Sequence, residues 1–468
     1  MSGWIIQTIE WIGLGVILSG ALIATCNIVQ MLVSAWVLSQ RSPAGSAHEN
    51  WFRYAKMAPS ISILVPAYNE APTIVASVRA LLACEYPDFE VIVINDGSKD
   101  ETILKLVEAL DLKITKAPEQ GALAHQPYKQ AYISTQHQNL VVLDKCNGGK
   151  ADALNAGINA AHGDFICVID ADSILDRDAL LRAVRYFIDY PGDVVAVGGA
   201  IRLTNGCTIE GGNIIAVAPP RNFLALFQSV EYMRTFHLAR TAMAQGGALT
   251  LISGAFGLFS KDLLLEVGGY AHNTVGEDYE LVLRLHRHLR DTGRKHARIV
   301  YTPDAVCWTQ APESLEVLGR QRTRWQRGSL ETLWRHRGMI CNPRYGRVAW
   351  LSLIEAILSD IITPITEVLG YLLIPIAVLF GILNYGYWLA FIGLSIGFGI
   401  VLSVGAIALE EIRFRRFPKA SHVLILLLAA ILENFGYRQL CSWWRISGFI
   451  QYFQGKKAWG SMPRKSLS

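Results

Sequence analysis

Phe165-Ile166-Cys167-Val168-Ile169-Asp170-Ala171-Asp172 sets five apolar residues against two carboxylates one residue apart. A short, continuous apolar run rich in β-branched residues reads as a strand buried on both faces. The two carboxylates follow at its end, where they leave the pleat and can converge on one hard cation. Mg2+ or Mn2+ takes oxygen ligands and bridges them to a diphosphate. The same residues also read as a solvated turn that caps a helix starting near Arg177, so this spacing alone leaves both readings open.

Upstream the pattern repeats. Ile61–Val65, Val91–Ile94 and Leu140–Leu143 read as further buried strands, and Asn69–Cys84, Glu101–Leu110 and Lys150–Ala161 as helices between them. Strands alternating with helices indicate an α/β fold, a parallel sheet wound with helices on both faces. Ligands of such sheets bind at the C-terminal strand ends. The polar residues placed there are Asn69, Asp96, Lys145 and Asp170.

Three of these ends carry recognisable chemistry. Asn95-Asp96-Gly97-Ser98 puts a carboxylate beside a glycine that permits close approach, so Asp96 can accept from a base N–H or form an Asx turn. Asn147-Gly148-Gly149-Lys150 exposes main-chain N–H groups and sets Lys150 at a helix start, where anions are favoured. It lacks the GxxxxGK[ST] frame of a Walker loop. Gly276-Glu277-Asp278 precedes the helix Tyr279–Leu289; its acids suit helix caps, and a partly desolvated Asp278 suits a general base. Gln321-Arg322-Thr323-Arg324-Trp325-Gln326-Arg327-Gly328 combines cations for a diphosphate with an indole for a sugar face. On an amphipathic helix, Arg320, Arg322 and Arg327 are expected to touch lipid, while Gln321, Arg324 and Trp325 face the site. His162, His237, His286 and His288 are not read as ligands, and Arg284–Arg290 reads as a solvated helix face.

Composition sets the wider frame. Of 468 residues, 51% are hydrophobic and 18% charged, which suits one water-soluble domain plus several membrane spans. The net charge of +4 is mild, and the basic residues cluster beside apolar segments. That favours membrane lipid as a partner and no nucleic acid. Eight scattered cysteines without a CxxC pair argue against a zinc ribbon or a disulfide framework and for reduced cytosolic thiols.

The expected domains are an N-terminal transmembrane segment over 1–40, an α/β domain over 59–330 and an interfacial helix over 346–361. Two transmembrane helices follow over 362–410, then interfacial helices or a fourth span over 421–455, and a basic tail over 456–468. Arg41, Arg53 and Lys56 follow the first span, and Arg413, Arg415, Arg416 and Lys419 follow the third. The positive-inside rule puts both sets in the cytosol, making this a multi-pass protein of the inner (plasma) membrane with a cytosolic α/β domain.

Taken in order, Pro66-Ala67-Tyr68-Asn69-Glu70, Asn95-Asp96-Gly97-Ser98, Asp170-Ala171-Asp172, Gly276-Glu277-Asp278 and Gln321-Arg322-Thr323-Arg324-Trp325 resemble the motifs of the family 2 membrane glycosyltransferases. That family includes the synthases of cellulose, chitin, hyaluronan and poly-N-acetylglucosamine. The resemblance covers about Pro59 to Gly328. It implies a GT-A fold (Rossmann-like, doubly wound) and inverting, Mg2+- or Mn2+-dependent transfer from a UDP-sugar to a growing polysaccharide, with a β-linked product.

The resemblance also implies roles. Asn69, Glu70, Asp96, Lys150, Asp170, Gln321 and Arg324 would bind the donor, and Asp170 and Asp172 the metal. Ser253, Gly254, Glu277 and Trp325 would lie near the acceptor, and Asp278 would be the base. Two positions depart from the pattern: Asn95 stands where the family has an aspartate, and Gly276 where it has a threonine. The acceptor is a glycan or a lipid-linked sugar, and export would call for a partner subunit or a homo-oligomer. The competing readings are single transfer to a lipid acceptor and a non-enzymatic, nucleotide-responsive membrane scaffold. Retention of Asp170, Asp172 and Asp278 speaks against the scaffold.

Overall fold

The computed structural model describes residues 3–40, 45–382 and 384–456; Arg41, Leu383 and the basic tail from Lys457 lie outside the described residues. The chain divides into two compact units. Of the described residues, one takes 45–218 and Gly247–Ala311; the other takes the N-terminal helix, Pro219–Gly246 and 312–456 apart from Leu383. The stretch 59–330 therefore contributes to both.

The first unit is built on strands β1 (Ile61–Ala67), β2 (Phe89–Asn95), β3 (Leu112–Thr115), β4 (Tyr128–Ser134), β5 (Leu140–Lys145), β6 (Phe165–Val168), β7 (Ile174–Leu175) and β8 (Val194–Leu203). A hairpin, β9 (Thr208–Glu210) and β10 (Asn213–Ala216), comes next, then β11 (Gly257–Ser260) and β12 (Arg298–Thr309). Ten strands form one sheet in the order β3-β4-β5-β2-β1-β6-β11-β8-β12-β7. Its centre, β5-β2-β1-β6, is parallel. Helices Ile74–Leu82, Thr102–Ala109 and Lys150–Ala160 connect these strands. Ile63, Leu64, Val65 and Val91 to Ile94 are fully buried. Burying each such side chain stabilises by about 1.5–3 kcal/mol.

The sheet is mixed rather than purely parallel, because β4, β7 and β11 run antiparallel to their neighbours. The β11–β6 pair has a consequence for the site. Gly257 pairs with Val168, so the loop before β11 arrives beside the end of β6 and next to Asp170.

The first helix is shorter than its apolar pattern suggests, starting at Ile74 instead of Asn69. Asn69 has φ 56, outside helical space. Residues 69–71 are instead tied to the turn after β2: Ser98 Oγ accepts from Asn69 N, Thr102 Oγ1 from Glu70 N and Asp100 Oδ2 from Ala71 N.

The second unit is helical. Gln7–Gln40, Val348–Leu379 and Tyr385–Arg413 are long and apolar enough to cross a membrane. Ala420–Leu432 and Tyr437–Phe453 bend by 56° at their junction and would make a fourth span if taken together. Val348–Leu379 is one continuous helical run, so no break in the helix separates the expected interfacial segment 346–361 from the span beyond it. Leu226, Val230 and Met233 pack with Leu402, Ala406, Leu426 and Ala430 in the core of this unit.

Helix Leu315–Arg335 lies against Tyr437–Phe453. Two arginines expected at lipid turn inward here: Arg322 is 7% exposed and Arg327 3%. Arg322 donates to both oxygens of Glu231, at 2.7 and 2.8 Å, and Tyr437 donates to the same carboxylate. A bidentate partner 91 residues away outweighs the lipid surface.

Candidate active site

Four loops meet at the C-terminal edge of the parallel strands. Asp96 stands just past β2, and its side chain is 4% exposed. Oδ1 accepts from Lys145 Nζ at 2.6 Å and from Gly148 N at 3.0 Å; Oδ2 accepts from Asn147 Nδ2 at 3.0 Å and Gly149 N at 2.7 Å. Both oxygens are committed to the loop after β5, so Asp96 holds that loop in place.

Lys145, the last residue of β5, is fully buried and also pairs with Asp152 in the first turn of the following helix. Asp152 in turn accepts from Gln126 N. The sequence placed Lys145 at a strand end but assigned it no task; an ionic group directly after the buried run Leu140–Leu143 was the available signal. Asn95 is likewise explained locally. Its amide donates to Asp144 Oδ1 at 2.7 Å, so a carboxylate at this position would face another.

The clamped loop delivers Lys150. Gly149 enters the helix at φ 91, a conformation that a side chain would strain. Lys150 Nζ then lies 2.5 Å from Asp170 Oδ1 and 3.5 Å from the Gly254 carbonyl. Burial opposes the ammonium charge, but the negative charges of Asp170, Glu277 and Asp278 hold its pKa above the ordinary lysine value.

Gly254 closes the circle. Its N–H donates to Asp278 Oδ2 at 3.1 Å. A Cβ on Gly254 would stand 3.0 Å from Lys150 Nζ and 3.5 Å from Asp278 Oδ2, so a side chain here would press on the lysine ammonium. Asp278 lies in the first turn of Glu277–Asp291, with Oδ1 accepting from Tyr279 N at 2.9 Å. It is half-buried, whereas Glu277 beside it is 7% exposed. Burial, with the charges of Asp278 and Glu277, pushes the Tyr270 phenol well above its ordinary pKa, so it stays protonated.

Among the predicted site residues, Asn69, Glu70, Asp96, Lys150, Asp170, Asp172, Ser253, Gly254, Glu277 and Asp278 belong to the sheet unit. Asn69 Oδ1 accepts from Lys99 N, and Ser253 Oγ from Ala255 N. Gln321, Arg324 and Trp325 belong to the helical unit, on Leu315–Arg335, where Trp325 is 42% exposed. His286 departs from the solvated face expected of it. It is buried, shares a 2.7 Å hydrogen bond with the Leu249 carbonyl, and burial lowers its pKa to about 4.

The donor set at Asp170 and Asp172 fits a hard divalent cation. It consists of carboxylate oxygens from one turn, and the Lys150 ammonium already stands as a cation against Asp170. No group of three or more metal-ligating side chains occurs among the described residues. Two carboxylates with further oxygens from a bound diphosphate and water are enough for Mg2+ or Mn2+.

Known proteins share this arrangement of strands and loops. Residues 58–121 and 130–328 match the family described as glycosyltransferase like family 2, and the chain belongs to it. It is similar to the poly-beta-1,6-N-acetyl-D-glucosamine synthase of Staphylococcus epidermidis, 31% identical over 275 residues, 59% of this chain and 56% of that protein. The synthase of the same name from Staphylococcus aureus strain COL is 32% identical over 278 residues, with the same shares covered. The match thus spans little more than half the length of these relatives. A solved mannosyltransferase from Pyrobaculum calidifontis, in complex with GDP-Man and Mn2+, covers 94% of this chain and is itself covered completely. Its TM-score is 0.53 at 17% identity, a likeness of fold. The fold is GT-A, flanked by helices long enough for membrane spans.

Proposed function

We propose that the protein transfers N-acetylglucosamine from UDP-GlcNAc to a growing β-linked polysaccharide at the membrane, with inversion and with a divalent cation. The observation that carries this reading is the meeting of Asp170, Lys150, Gly254 and Asp278 at one sheet edge. The choice of sugar and polymer is supported by the relatives, which are named as poly-beta-1,6-N-acetyl-D-glucosamine synthases. The Mn2+ held with GDP-Man by the Pyrobaculum enzyme supports the cation.

In this mechanism Asp278 takes the proton of the attacking hydroxyl. Main-chain N–H groups of Gly254 and Tyr279 fix one lone pair on each of its oxygens, which orients the carboxylate and leaves the other lone pairs for the acceptor. Lys150 meets the negative charge that builds on the departing diphosphate, where preorganised charge lowers the barrier most. Asp96, locked by Lys145, keeps the loop that presents Lys150 in place. A cation held by Asp170 and Asp172 would add charge neutralisation at the diphosphate. We assign Ser253, Gly254 and Glu277 to the acceptor. One displacement turns an α-linked donor into a β-linked product.

The sheet unit belongs on the cytosolic face, supported by Arg53 and Lys56 after the first span and by Arg413, Arg415, Arg416 and Lys419 after the third. The test offers UDP-GlcNAc, UDP-glucose and UDP-galactose to the full-length protein and follows the labelled product through a chase of unlabelled donor. We expect incorporation from UDP-GlcNAc into a product that lengthens during the chase. A labelled lipid that carries one sugar and never lengthens would overturn the polymerase reading in favour of single transfer.

A further inference from the structure

We propose that Lys150 fills the divalent cation's place at Asp170 while the donor is absent, and yields it only when a nucleoside diphosphate arrives together with the cation. This rests on the donor and metal reading given above. The ammonium lies 2.5 Å from Asp170 Oδ1, so it occupies the oxygen that a hard cation would need. On its other side Nζ meets the Gly254 carbonyl at 3.5 Å, which spans the lysine across the mouth of the site. The pair is also open to exchange. Its side chains are 18% and 30% exposed, against 0% and 4% for Lys145 and Asp96 beneath it.

A cation alone approaching Asp170 and Asp172 meets the lysine's positive charge at close range, and loses affinity for that reason. A nucleoside diphosphate changes the balance. Its phosphate oxygens offer the ammonium a new anionic partner, Asp170 is released, and cation and nucleotide each bind more tightly in the other's presence than alone. Lys150 therefore couples the two ligands and disfavours the cation without the donor.

The test is equilibrium Mn2+ binding by the full-length protein in detergent, read from the electron paramagnetic resonance of free Mn2+, with and without UDP. Wild type is expected to bind Mn2+ weakly alone and tightly with UDP. Lys150→Gln is expected to bind Mn2+ alone about tenfold more tightly, because a unit charge beside the site is gone. The same variant is expected to bind Mn2+ less tightly than wild type when UDP is present. A folding defect does not produce opposite signs. Lys150→Arg keeps the charge and should keep the wild-type pattern with Mn2+ alone. If wild type takes up Mn2+ with UDP but Lys150→Gln binds Mn2+ alone no more tightly, the inference is overturned. If wild type takes up no Mn2+ even with UDP, or takes it up equally after Asp172→Asn, the metal reading itself fails and the inference falls with it.

Discussion

Two lysines five residues apart, one at each end of the same loop, each meet an aspartate, and they do so in opposite ways. Lys145 is sealed, with no exposed side-chain surface, between Asp96 and Asp152, and its carboxylates take further hydrogen bonds from Asn147, Gly148, Gly149 and Gln126. Lys150 rests on Asp170 at the edge of the site, partly open to solvent. A buried pair is costly to break because removing one member strands the other charge. An open pair contributes little to stability and exchanges partners easily. One loop thus runs from a fixed ionic anchor to a partly open charge pair at the edge of the candidate site.

The contrast breaks first in thermal stability. Lys145→Met strands two buried carboxylates and is expected to cost about 3–5 kcal/mol, seen as a fall in melting temperature. Adding Asp152→Asn should recover part of that loss, since one stranded charge is removed. An unchanged melt for Lys145→Met would erase the difference between the lysines.

A second buried polar group sharpens the comparison through pH. His286 has its folded pKa lowered to about 4, below the ordinary 6.5, so the unfolded chain binds the proton more readily. Its stabilising contribution is present above pH 6.5 and is lost as pH falls towards 4, by about 3 kcal/mol in total. His286→Gln should flatten the melting temperature across that window; an equal slope in the variant would remove His286 as its source.

The smallest expected effect on stability belongs to Lys150. Lys150→Gln should cost less folding stability than Lys145→Met, because its pair with Asp170 is partly open to solvent, while weakening UDP binding in the presence of Mn2+. A large loss of stability with UDP affinity intact would make it a second anchor.

The sequence was most legible where chemistry and burial coincide. The strands β1, β2, β5 and β6 stood out because four or five apolar residues run directly into turn residues, and the loops at their ends carry the site. The antiparallel strands were not legible: β7 has two residues, β11 four, and β4 alternates only partly. Without β11 nothing in the chain order placed Gly254 beside Asp170. Arg322 was misplaced because its partner, Glu231, lies far away in sequence, although Leu318, Arg322, Gln326 and Leu330 share one buried helical stripe. His286 carried a similar signal in Val282 and Leu289, which flank it on the same helix face, but its charged sequence neighbours masked it.

The assignment of Asp278 bears most directly on the reaction. UDP release from UDP-GlcNAc should be followed in the full-length protein with Mn2+, for wild type and Asp278→Asn, with UDP binding measured alongside. The expected result is release by wild type and a fall of about 10²–10⁴-fold in the variant with UDP binding retained, the range for loss of one positioned base. Full activity in Asp278→Asn would contradict the mechanism, because the carboxylate that Gly254 and Tyr279 orient would then not be the group that takes the proton.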